Sequence, residues 1–242
     1  MKFNIKSYIK SCFRELIVSG ILFIGIIITL VPPSMLTYFI INKGDTIFYI
    51  KHISNFFCIF GLYIAILNSL HFINRDFTMG TIELVCNSKE NRLGYLNANI
   101  LLASLLSVIY AFVGVVTVLV AKELGVPGEL SFTFLIGFFF NIILSIIFYS
   151  LFCLLLFYLS INSNIVFSFL TLLLLFIPNI ISNILYSMRN ELFNNIFEKI
   201  PLYFMPIFAG SNIMGTIQYI ISIFSIYFLY MLLRIRSQKL TF

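Results

Sequence analysis

Six long stretches of this chain carry no Asp, Glu, Lys or Arg: Leu16 to Ile41, His52 to Ile73, Leu96 to Ala121, Phe132 to Ser160, Asn164 to Ile181 and Ile217 to Leu233. A bilayer core about 30 Å thick needs about 20 apolar residues per helix. A charge at a helix centre costs about 2.5 to 3.5 kcal/mol on insertion. Hydrocarbon leaves no unpaired backbone group at low cost, so each run must close its hydrogen bonds as a helix. The expected fold is all-α and polytopic, a single domain over 1–242 with six transmembrane helices. A mean hydropathy of +1.06 excludes a soluble domain. The first run exceeds a signal-peptide core, and Val31-Pro32-Pro33-Ser34 is no cleavage pattern, so this helix is expected to stay in the mature protein.

Lys and Arg collect on the cytoplasmic side of such proteins. With both termini cytoplasmic, the inner segments hold Lys2, Lys6, Lys10, Arg14, Arg75, Lys89, Arg92, Arg234, Arg236 and Lys239. The outer loops then hold the fewer Lys43, Lys51, Lys122, Arg189 and Lys199. The net charge of +6 is thus an orientation signal, and no basic soluble domain exists to carry nucleic acid. Cys12 and Cys86 fall in cytosolic segments and Cys58 and Cys153 in spans, so no disulfide framework is expected.

Residues 1–15 place Lys2, Lys6, Lys10 and Arg14 at i, i+4 spacing beside Ile5, Tyr8, Ile9, Cys12, Phe13 and Leu16. This pattern predicts an interfacial amphipathic helix, its lysines on anionic headgroups and its apolar face on acyl chains, either as an anchor alone or as an elbow that also touches a partner. Pro32 and Pro33 predict a kink or an early exit of the first span. Ser54, Cys58, Gly61, Ala65 and Asn68 share one face of the second span, and Ser104, Ser107, Ala111 and Gly114 share one face of the third. Small residues let helices approach closely in lipid. The alternative for the second span is a substrate path extended by Asn68 and His71, because a buried amide is costly unless paired. The stretch 182–216 is expected outside. There Leu192, Phe193, Ile196, Phe197 and Ile200 form an apolar face ended by Pro201, ahead of a re-entrant piece around Tyr203 to Gly210.

Catalytic chemistry is missing from the sequence. His52 and His71 lie about one span apart in depth and have no ligand-spaced partners, so no metal or other cofactor is expected in this chain. No nucleophile elbow, intramembrane carboxylate pair or phosphate-binding loop occurs, so the chain is expected to be a non-catalytic subunit. Ion channels and coupled carriers would call for charges inside the spans or for inverted repeats.

One polar island, 74–95, interrupts the apolar pattern. Thr78, Gly80 and Thr81 end the extension of the second span. Ile82, Leu84 and Val85 offer an apolar patch beside Glu83. Asn87-Ser88-Lys89-Glu90 reads as an N-cap with Glu at the third helical position, opening the third span. A short helix here, with Glu83, Glu90 and Arg92 around the patch, fits a groove on another protein.

Arg75-Asp76-Phe77, then Gly80-Thr81-Ile82-Glu83-Leu84, then Asn91-Arg92-Leu93-Gly94-Tyr95 resemble the segment between the second and third helices of ABC-2 type exporter permeases. The six-span layout, the amphipathic start and Ile200-Pro201 extend the resemblance over nearly the whole chain. It is nearest to small peptide-exporter permeases of the phenol-soluble modulin and of the bacitracin- or lantibiotic-immunity type. The resemblance implies an ABC-2 (type V) transmembrane domain in a bacterial cytoplasmic membrane. It also implies a coupling helix, with Arg75, Asp76, Gly80, Thr81, Ile82, Glu83, Leu84, Lys89, Glu90 and Arg92 serving contact with the motor. Two ATPase subunits would bind ATP and Mg, and a second permease, identical or related, would complete a path for amphipathic peptides. Asn68, His71, Ser168 and Thr171 would line that path. Drug or lipid-like cargo, or a motor-free scaffold or sensor, are the alternatives. Where members often carry a lysine, this chain has Asn97-Ala98-Asn99.

Overall fold

The computed structural model describes residues 3–43, 48–188, 191–211 and 214–239. Among these residues the chain is helical, without strands: α1 (Ile5–Val18), α2 (Ile21–Lys43), α3 (Ile50–Thr78), α4 (Thr81–Val85), α5 (Lys89–Glu123), α6 (Phe132–Tyr158), α7 (Ser163–Thr171), a π-helical turn (Leu172–Phe176), α8 (Ile177–Met188), α9 (Glu191–Phe197), α10 (Pro201–Ser211) and α11 (Thr216–Lys239). Among the described residues six helices are long and apolar enough to cross a membrane: α2, α3, α5, α6, the rod Ser163–Leu185 through the π turn, and α11. They fall on the six charge-free runs. The first boundary differs, because Leu16 to Val18 end α1, and Gly20 at φ +75° turns the chain into α2.

The centre of the bundle is α3, α5 and α6, with α2 laid on α3. Small residues set that approach. A Cβ on Gly25 of α2 would lie 2.7 Å from Tyr110 Oη and 2.8 Å from Asn68 Nδ2, so α2 sits directly over the bond Asn68 donates to Tyr110 (2.8 Å). On Gly114 it would meet the Phe57 ring at 2.6 Å. The shared face of α3 is therefore a packing face. The early exit expected at Pro32 and Pro33 does not occur, and α2 continues to Lys43. A proline deletes one ladder bond, whereas leaving the helix in hydrocarbon would unpair several backbone groups.

Prolines mark two further departures. The π turn precedes Pro178, with Ile177 N–H on Leu172 O and Asn179 Nδ2 on Leu175 O (2.9 Å), so the wider turn re-pairs carbonyls near a residue that has no N–H. In α10, Pro206 offers no N–H to the Leu202 carbonyl four residues back, and Tyr149 Oη of α6 donates to it instead (2.9 Å). The last carbonyls of α10 are served from its neighbours. Asn141 Nδ2 donates to Phe208 O (3.2 Å), Tyr219 Oη of α11 holds the Asn141 Oδ1 (2.8 Å), and Ser54 Oγ of α3 reaches Gly210 O.

Because Tyr149 and Asn141 stand about 12 Å apart along α6, α10 runs antiparallel to α6 from mid-bundle to the end where α3 and α6 begin. Tyr203, Phe204, Met205 and Ala209 are buried. The stretch Tyr203 to Gly210 is thus helical and packed into the bundle. In α9, Phe193 and Ile196 are exposed, as is Ile200 just beyond it, while Arg189, also placed on that segment, lies outside the described residues.

Gly210 packs so closely that an added Cβ would meet Asn55 Cα at 2.7 Å and Ser54 O at 2.8 Å. Gly210→Ala is expected to abolish recovery of folded protein in detergent. Tyr149→Phe, which only orphans one carbonyl, should lower the thermal midpoint by the equivalent of about 1 to 3 kcal/mol.

Candidate functional site

The polar island folds into a compact knot at one end of the bundle. The span α3 runs out to Thr78, Gly80 takes the left-handed conformation at φ +68° as the N-cap of α4, and α4 lasts five residues. Ser88 then caps α5, its side chain accepting from Asn91 N–H (3.2 Å). The cap is one residue later than expected, which puts Glu90 at the second helical position. Ser88 takes the role because its extended backbone lets Oγ reach back to the first turn. Arg92 Nη1 reaches Gln238 O near the end of α11 (3.4 Å), so α1, α4 and the last turn of α11 share this end.

Asp76 is the centre of the knot. A carboxylate that is 6% exposed must be supplied with donors or it destabilises the fold. Tyr95 of α5 donates to Oδ2 (2.9 Å), Tyr8 of α1 donates to the same oxygen (3.1 Å), and Thr81 of α4 donates to Oδ1 (3.3 Å). Arg75 approaches Oδ1 at 3.5 Å and makes its shorter contact with Glu15 of α1 (2.7 Å), with its guanidinium 5.0 Å over the Phe72 ring. One carboxylate therefore ties the end of α3 to α1, α4 and α5. Under it lies a small apolar cluster of Ile82, Cys86 and Tyr95, with Phe3, Tyr8, Phe77 and Val85 against it.

Several expected roles change. Ile82 is 3% exposed and belongs to the cluster, so the outward patch is Leu84 (79% exposed) with Met79 (70%), beside exposed Glu83. Helical geometry turns Ile82 inward once Gly80 starts a new helix. Arg92 Nε donates to Cys86 O (2.9 Å), so with its reach to α11 it braces the chain rather than flanking the patch. Lys89 and Glu90 are exposed at the start of α5. The apolar side of α1 meets protein, since Cys12 and Leu16 are buried while Lys6, Lys10 and Arg14 stay exposed.

The four path candidates do not converge. Asn68 is buried and bonded to Tyr110, and half-buried His71 packs edge-on against Phe72 (5.0 Å). Thr171 is within 3.0 Å of Tyr63 Oη, binding the fifth span to α3, while Ser168 is exposed. Asn179 and Asn183 join Ser168 as exposed polar residues of that span.

Tyr8 and Glu15 escaped the sequence reading as parts of the site, and Tyr95 stood there only within the motif that carries the resemblance. A signal existed in Asp76 itself, since a carboxylate abutting an apolar run calls for donors from whatever packs there. The chain matches no family model and no curated protein.

Two predictions follow from this knot. Tyr8→Phe with Tyr95→Phe leaves Asp76 two donors short, and α1 should become cleavable near Gly20 in limited proteolysis that spares the wild type. Burial raises the Cys12 thiol to about 11 and the Cys86 thiol to about 12. Both should therefore stay protonated and resist maleimide at pH 7 to 8 until the protein is denatured.

Proposed function

We propose that this chain is the permease subunit of an ATP-driven exporter of the ABC-2 type, non-catalytic itself and moved by separate ATPase subunits. The observation that carries the reading is a five-residue helix held at the end of a span by a buried carboxylate that also grips α1 and α5. A push on α4 reaches three other helices through Asp76 without passing through a flexible loop. Leu84, Met79 and Glu83 give a partner an apolar contact with one acidic neighbour.

The remaining assignments rest on the resemblance and on charge. Lys6, Lys10, Arg14, Arg75, Lys89, Arg92, Arg234, Arg236 and Lys239 gather at the α4 end, which favours a cytoplasmic position for it. Two copies of a cytosolic ATPase would bind there, holding ATP and Mg. Ser168, Asn179 and Asn183 are poorly suited to face lipid tails, and they favour a second permease, or a path shared with it, along the fifth span. The cargo is an amphipathic peptide, and the setting is a bacterial cell membrane.

Affinity-tagged chain should retain a cytosolic ATPase from the native host. Leu84→Asp with Met79→Asp should cut that recovery at least tenfold without lowering the thermal midpoint, and an amphipathic helical peptide should raise ATP turnover of the reconstituted complex. An unaltered recovery would remove α4 as the docking element.

A further inference from the structure

The inner seam of α3, α5 and α6 contains a cavity of about 10 Å³ lined by Ser69, Asn99 and Ser150 among apolar side chains. All three polar residues are at least nine-tenths buried. Asn99 Nδ2 donates to Tyr95 O (2.9 Å), which fixes the amide, because the flipped form would set oxygen against oxygen. Its Oδ1 has no hydrogen-bond partner among the described residues.

No donor among the described residues reaches it within hydrogen-bonding distance, and the serines of the cavity are engaged with each other. Ser69 Oγ donates to Ile66 O (2.8 Å), so the bond between the two serine hydroxyls (2.8 Å) takes its proton from Ser150. Neither hydroxyl has a proton left for Asn99. A buried acceptor without a donor destabilises by about 1 to 3 kcal/mol, so something that donates belongs in the cavity. The volume is near the lower limit for one water and too small for an organic group. A bare cation would satisfy the oxygens, but no carboxylate lines the cavity, and an uncompensated charge there is expensive.

We infer that one water molecule is bound in this seam, donating one hydrogen to Asn99 Oδ1 and the other to a lone pair of Ser150 Oγ. It joins α5 to α6, and through the Ser150–Ser69 bond to α3, by bonds that re-form easily when the helices shift. It also sits one turn beyond Tyr95, whose hydroxyl holds Asp76. The site stands independently of the exporter reading.

Water-to-protein magnetisation transfer on the full-length chain in bilayers, with ¹⁵N-asparagine, tests this directly. The Asn99 carboxamide should receive transfer from bound water. Asn141, whose amide oxygen and nitrogen both have protein partners, should not. Ala103 lines the same cavity, and Ala103→Val should abolish the Asn99 signal and lower the thermal midpoint, because expelling the water orphans the amide. A dry cavity would behave oppositely, with filling raising the midpoint. Absence of transfer to Asn99 in the wild type, transfer undiminished in Ala103→Val, or a raised midpoint each overturns the inference. A midpoint that rises with Na⁺ or K⁺ over a large organic cation would instead assign the cavity to an ion.

Discussion

In hydrocarbon, a backbone N–H or C=O has no solvent to fall back on, and most of the local structure of this chain can be read as a response to that fact. Where proline breaks the ladder in α10, a tyrosine hydroxyl from α6 fills the gap. Where proline approaches in the fifth span, the helix widens to a π turn. Where α10 ends against α3 and α6, Asn141 and Ser54 serve its last carbonyls. These side chains are polar residues in runs that otherwise look uniformly greasy, and each serves a named backbone group.

Ionic groups follow the same rule at the bundle's end. Asp76 tolerates burial because donors reach it from three helices, whereas the more exposed Arg75–Glu15 pair adds at most about 1 kcal/mol. Asp76 therefore does more for the architecture than the visible salt bridge. Removing a donor to it would be felt in α1, α4 and α5 together, although α1 lies far from the other two in sequence.

The spans were legible because length and absence of charge are local properties of the chain. The break that opens α10 was legible from Pro201, and its burial from the apolar residues after it. Partnerships were not legible, because they depend on which faces meet. Asn68 reads as a packed amide or, alternatively, as a path lining until Tyr110 is seen against it, and Arg92 reads as a docking charge until its bonds to Cys86 O and Gln238 O appear. Ile82 and Leu84 are two residues apart and alike in chemistry, yet the turn at Gly80 sends one inward and the other outward.

The hold on α1 has a consequence for biosynthesis. Tyr8 leaves the ribosome well before Asp76, and Tyr95 follows later still, so α1 can reach Asp76 only once α3 is made, and the shared carboxylate is complete only when α5 has begun. The knot at Asp76 is therefore among the later tertiary contacts of the N-terminal half to be completed, because its donors come from residues 8, 81 and 95.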